Sequence, residues 1–180
     1  TVLDFYGAHL SIPRGGSANK RPAPGTSLRR YVWQRQVDSL ISDGARFVIW
    51  LLLLSYMPAV WPFRGGRAWL LARSRKAWHK LKASLDRGEL VPLGFVRDTK
   101  NLFDNHQVLA IGYEERDEAE GTIYAYDPNC PDQVCTISLK FGERALDGQE
   151  SGNPSATLRG FFCQGYKPAD PREALAGLAS

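Results

Sequence analysis

The stretch NHQVLAIGYEERDEAEGTIYAYDPN, Asn105 to Asn129, contains two segments rich in β-branched and aromatic residues. These are HQVLAIGYEE and TIYAYDPN, joined by the charged loop RDEAEG. Two such segments around a short polar loop predict an antiparallel hairpin, which commits this part of the chain to a sheet. Val108, Ala110 and Gly112 alternate with Leu109, Ile111 and Tyr113, so both faces are apolar and the strand is expected to be central. Pro128 ends the second strand directly after Asp127. Pairing through the loop places His106 and Asp127 at the same end of the hairpin. A carboxylate there can accept a hydrogen bond from one imidazole nitrogen, fix the tautomer and leave the other nitrogen as a base. That is the base and orienter half of a nucleophilic triad.

Other strands are expected nearby. ELVPLGFVR, VCTISLKF and TLRGFFCQGYKP read as strands, with Asp147 to Ser155 as a loop before the last one. The first half reads as helices. TVLDFYGAHL is apolar from its start and stops near Gly7. SLRRYVWQRQVDSLIS follows a possible cap at Thr26 or Ser27. From Ala68, the residues Trp69, Leu70, Ala77, Trp78, Leu81 and Leu85 recur at helical spacing, and Gly88 is a natural stop. Helices followed by antiparallel strands predict an α+β fold with helices packed against one sheet. With 180 residues and no internal linker, one domain over 1–168 and a C-terminal tail over 169–180 are expected.

Composition narrows the function. A net charge of +4 is too small to mark a nucleic-acid binder by itself. The run Phe47 to Phe63 has 17 uncharged residues, short of the roughly 20 a membrane span needs, and is broken by Pro58 and Pro62. A buried helix over Arg46 to Tyr56 and a Pro-rich turn fit it better than a span. The following segment is strongly basic, from Arg64 to Lys82. A solvated helix face, with cations favoured toward the helix C-terminus, accounts for it more simply than a membrane or phosphate site. His79 and His9 are read as ordinary surface or packing residues. The Gly/Pro-rich stretch Ser11 to Thr26 reads as a surface loop. The three cysteines, Cys130, Cys135 and Cys163, are odd in number and low, which predicts reduced thiols and a cytoplasmic protein. Cys130 and Cys135 alone make a poor zinc site, so no metal and no cofactor are expected.

The pieces LDRGELVPLGFV, NHQVLAIGYEE, IYAYDPNCPD and RGFFCQGYKP together resemble bacterial papain-like cysteine peptidase homologues. That group is related to the peptidases that process double-glycine bacteriocin leaders. The likeness runs from Thr1 to about Pro168, and VPLG, NHQVLAIGY and YDPN are its most specific parts. It implies a papain-like fold, His106 as general base, Asp127 as orienting residue and Asn129 as its substitute. It also implies a peptide or amide substrate. Such a family sets its cysteine at the start of a helix, where the dipole and the imidazolium lower the thiol pKa. TVLDFYGAHL resembles the body of that helix, so the cysteine and oxyanion donors are expected before Thr1. The expected function is a cysteine peptidase or amidase-type hydrolase, inactive without that segment. The alternatives are a non-catalytic binding domain of the same family and a membrane-associated protein anchored by 47–63.

Overall fold

The structure, a computed structural model, describes residues 2–11, 22–35, 37–38, 65–97, 107–127, 133–172 and 176. Helix α1 is Val2–Gly7, and residues 27–35 form α2, which continues at 37–38. Helix α3 is Gly65–Asp86. Six strands follow: β1 Val91–Arg97, β2 Gln107–Glu115, β3 Glu120–Tyr126, β4 Val134–Phe141, β5 Leu146–Glu150 and β6 Asn153–Cys163. The chain forms two compact units, one of residues 1–45 with 165–180, the other of residues 46–164.

In the second unit each strand pairs antiparallel with the next, and β6 also pairs with β1, so the sheet is a closed barrel. This corrects the expected α+β, papain-like arrangement of helices against an antiparallel sheet. Alternation within each strand shows where strands lie, but closure depends on β1 meeting β6, as in Phe95 opposite Phe161. That pairing leaves no local periodic trace. Closure removes both sheet edges, which otherwise need covering. The supposed loop from Asp147 to Ser155 is also corrected, because β5 and the start of β6 occupy it. LDGQE presents only one apolar side chain inward, Leu146. Gly148 takes the next inward position because a Cβ there would stand 2.9 Å from Leu158.

The hairpin forms as the sequence requires. Leu109 stands opposite Tyr126, and Glu115 opposite Gly121. Asp117 turns the loop by accepting hydrogen bonds from the Ala119 and Glu120 N–H groups at 2.7 and 2.8 Å. A bulge leaves Ile111 as the extra residue between Ala110 and Gly112, and Ile111 is exposed. The bulge shifts the inward row by one residue, so Ala110 and then Tyr113 pack on the core.

Helix α3 packs on the barrel along both of its halves, with Leu70 against Val96 and Phe162 of β1 and β6. Trp78 packs on Gly121 at the start of β3, where a Cβ would come within 2.6 Å of its ring, and against Phe141 at the end of β4. Its indole N–H donates to Glu115 at the end of β2. The β5 ladder on β6 stops at Leu158, and the buried Phe161 N–H beyond it donates to Ser74 Oγ at 3.1 Å. The helix ends in a Schellman motif at the expected residue. Gly88 has φ +78°, its N–H donates to Leu85 C=O, and the Glu89 N–H donates to Ser84 C=O.

In the first unit, Thr26 caps α2 as expected: its Oγ1 accepts the Arg29 N–H at 3.2 Å. Phe5 of α1 meets Tyr31 of α2 edge to face, with ring centroids 6.5 Å apart. Asp4, 1% exposed, is the polar centre of this unit. Its carboxylate accepts hydrogen bonds from Arg35 Nε, the Tyr166 hydroxyl and the Ala169 N–H. Arg35 also donates to Lys167 C=O, so two helices and the segment 166–169 meet at one buried charge pair.

Candidate functional site

Six-stranded antiparallel closure sends β1, β3 and β5 toward the same end of the barrel, opposite the end where Trp78 packs on Gly121. Side chains alternate in and out along a strand. On β3 the buried positions are Gly121, Ile123 and Ala125, and Asp127 continues that row as the next inward residue. On β5 the row Leu146, Gly148, Glu150 ends in a carboxylate. On β1 the positions Val91, Leu93 and Phe95 are followed by Arg97, beside a bulge. Arg97, Asp127 and Glu150 are 8%, 6% and 4% exposed. Among the described residues they are the buried charged side chains of this unit, and all three sit at the terminal layer of one barrel end.

The Arg97 guanidinium binds Glu150 in a fork, Nε to Oε1 at 2.8 Å and Nη2 to Oε2 at 2.5 Å. Two parallel charge-assisted bonds hold the pair where a lone buried charge would be costly. The fork ties the last residue of β1 to the last residue of β5. Neither residue stood out in the sequence. Arg97 closes the apolar run ELVPLGFVR, and Glu150 lies in the stretch read as a loop. A charged residue in phase with the inward row of a strand is the signal that marks Arg97.

Of the sequence-derived site, Asp127 lies within the described residues. It is buried immediately after β3, on the hairpin arm that pairs with β2. His106 and Asn129 lie outside the described residues, as do Cys130, the run 47–63 and most of the loop Ser11 to Thr26. Gln107, next to His106 in the chain, opens β2 opposite Gly94. The end of β3 and the start of β2 are therefore at the same end of the hairpin.

Cys135 and Cys163 are not in disulfide bonds and are 5% and 6% exposed. Cys163 donates to Ala77 C=O of α3 at 3.4 Å, at the end of the barrel away from Asp127. Neither has the accessible, electropositive setting of a reactive cysteine. No group of residues suited to hold a metal ion occurs among the described residues, and none of their helices is long and apolar enough to cross a membrane. A shallow groove on the outer wall of β2–β4 is lined by Glu114, Arg116, Glu120 and Lys140. Its charges are spent on one another, with Arg116 and Lys140 both paired to Glu120.

Comparisons with family models, with curated proteins and with solved structures found no match.

Proposed function

We propose that the polar end of the barrel carries the base and orienter half of a cysteine-type amide hydrolase. His106 is the general base and Asp127 the residue that holds its ring, with Asn129 as the substitute. The observation that carries this reading is the burial of Asp127 at the hairpin end where β2 begins, one residue after His106. The residue likeness to cysteine peptidases supports the same assignment. In the reaction a thiolate attacks the acyl carbon of a peptide or amide, the imidazolium protonates the leaving amine, and water releases the acyl group. The burial of Cys135 and Cys163 speaks against either of them as the nucleophilic thiol.

That burial also favours a second reading, in which this end of the barrel binds a peptide without cleaving it. Titration of His106 by NMR tests the pair that the hydrolase reading requires. A carboxylate within about 4–6 Å raises an imidazole pKa by one unit or more, so Asp127→Asn is expected to lower that of His106 by about one unit. An unchanged titration removes the pair and with it the hydrolase reading. Where the pair is present, peptide hydrolysis by the protein that disappears in His106→Ala separates the enzyme from the binder.

A further inference from the structure

Helix α3 carries Arg67, Arg73, Arg75, Lys76, Lys80 and Lys82, and its single acid is Asp86, in the last turn. Arg75 and Lys82 are absorbed by the barrel: Arg75 donates to Phe141 C=O at 2.9 Å, and Lys82 pairs with Glu115. Arg73, Lys76 and Lys80 face outward and are exposed. Lys76 and Lys80 have no ion-pair partner among the described residues, and Arg73 stacks on the ring of Trp69 at 5.0 Å.

This face is charged against its own helix. Cations are favoured near a helix C-terminus, yet the last turn of α3 carries no base and ends in Asp86. The dipole explanation offered by the sequence therefore does not apply. Arg73–Lys76 and Lys76–Lys80 are neighbours three and four residues apart, and like charges at that spacing destabilise a helix. A solvated helix face ordinarily intersperses both signs. A row that departs from these rules without repayment inside the fold marks a functional surface.

We infer that the outer face of α3 is a docking surface for anionic lipid headgroups, with Arg73, Lys76 and Lys80 as its cationic row. The chemistry of the face selects this partner over a nucleic acid. The other exposed positions along this row are Ala72, His79 and Ala83, with no Asn or Gln to read base edges. A convex ridge of long cationic side chains on a rigid helix meets a flat anionic surface, where charge alone suffices. The apolar face of α3 stays on the barrel, so the contact is peripheral.

The test is sedimentation of the full chain with phosphatidylcholine vesicles, with and without phosphatidylserine. Binding is expected only with phosphatidylserine and is lost in ~1 M salt, where the Debye length falls to roughly 3 Å. Each surface cation contributes roughly fivefold, so Lys76→Ala with Lys80→Ala lowers the partition coefficient about twenty-five-fold. Arg116→Ala with Lys140→Ala removes the same charge from the barrel wall and leaves binding unchanged. Equal losses in the two double variants, binding to pure phosphatidylcholine, no binding at low salt, or tighter binding to duplex DNA through the same lysines would each overturn the assignment. Circular dichroism of both variants confirms that the helix is intact.

Discussion

His9 has a left-handed backbone, φ +55°, immediately after α1. Its N–H donates to Tyr6 C=O and the Leu10 N–H donates to Phe5 C=O, which is the bond pattern of a helix stop that usually carries glycine. A side chain there costs roughly 1 kcal/mol that glycine does not incur. His9→Gly is therefore expected to raise the stability of the first unit by about 1 kcal/mol. His9→Val is expected to lower it, because β-branched residues tolerate positive φ least. Urea midpoints of the two variants check this, and an unchanged midpoint in both sinks it. Nothing in the sequence around His9 signals this role. The glycine that usually marks such a stop is two residues early, at Gly7, so α1 looked as if it ended there.

Gly121 shows how one element seats another. It lies on β3 beneath Trp78 of α3, and the only space for a Cβ is already filled by the indole. Gly121→Ala forces Trp78 to move, and overpacking of this kind costs typically 1–3 kcal/mol. The variant is expected to lose that much stability and to shift Trp78 fluorescence. Loss of neither means α3 does not rest on β3. Elements of this sort were legible in part. β1, β2, β3, β4 and most of β6 follow from alternation, and the stop of α3 follows from Gly88. Strand β5 did not, because two of its three inward positions are Gly148 and Glu150, which carry no apolar signal. The same gap hid half of the polar barrel end. Asp127 was legible because Pro128 punctuates an alternating strand. Glu150 became visible only when the ladder between β4 and β5 placed it opposite Ile137. Glu150→Gln removes the charged half of the Arg97 fork, and breaking one side of a buried pair costs about 3–5 kcal/mol. Replacing both partners by methionine is expected to recover most of it, as a double-mutant cycle in urea would read.

At the scale of the whole molecule two polar centres stand out among the described residues, and each belongs to a different unit. The barrel joins its strands through the Arg97–Glu150 fork, whereas the first unit joins α1, α2 and the segment 166–169 through Asp4. Burial alone would raise the Asp4 pKa. Hydrogen bonds from the Tyr166 hydroxyl and the Ala169 N–H outweigh it, and the carboxyl titrates below its ordinary 3.8. Burial first, and then the neighbouring Asp4 carboxylate, push Tyr31 up to about 12. A carboxyl whose pKa is depressed by folding binds more protons in the unfolded state. Its stabilisation is complete above 3.8 and is lost as pH falls through the lower folded value. Acidification below 3.8 is therefore expected to open the first unit, releasing the Leu10 N–H and the α2 amides to hydrogen exchange. In Asp4→Asn the amide side chain does not titrate and the acid step disappears. That variant is expected to lose about 1.5–3 kcal/mol at neutral pH, because the charge-assisted bonds from Arg35, Tyr166 and Ala169 weaken while Arg35 keeps Asp38. The barrel amides of β3 and β4 are expected to keep their protection in Asp4→Asn at neutral pH, since Arg35, Tyr166 and Ala169, which Asp4 binds, all belong to the first unit. Joint loss of protection in both units on this one substitution would show a single cooperative structure in place of two.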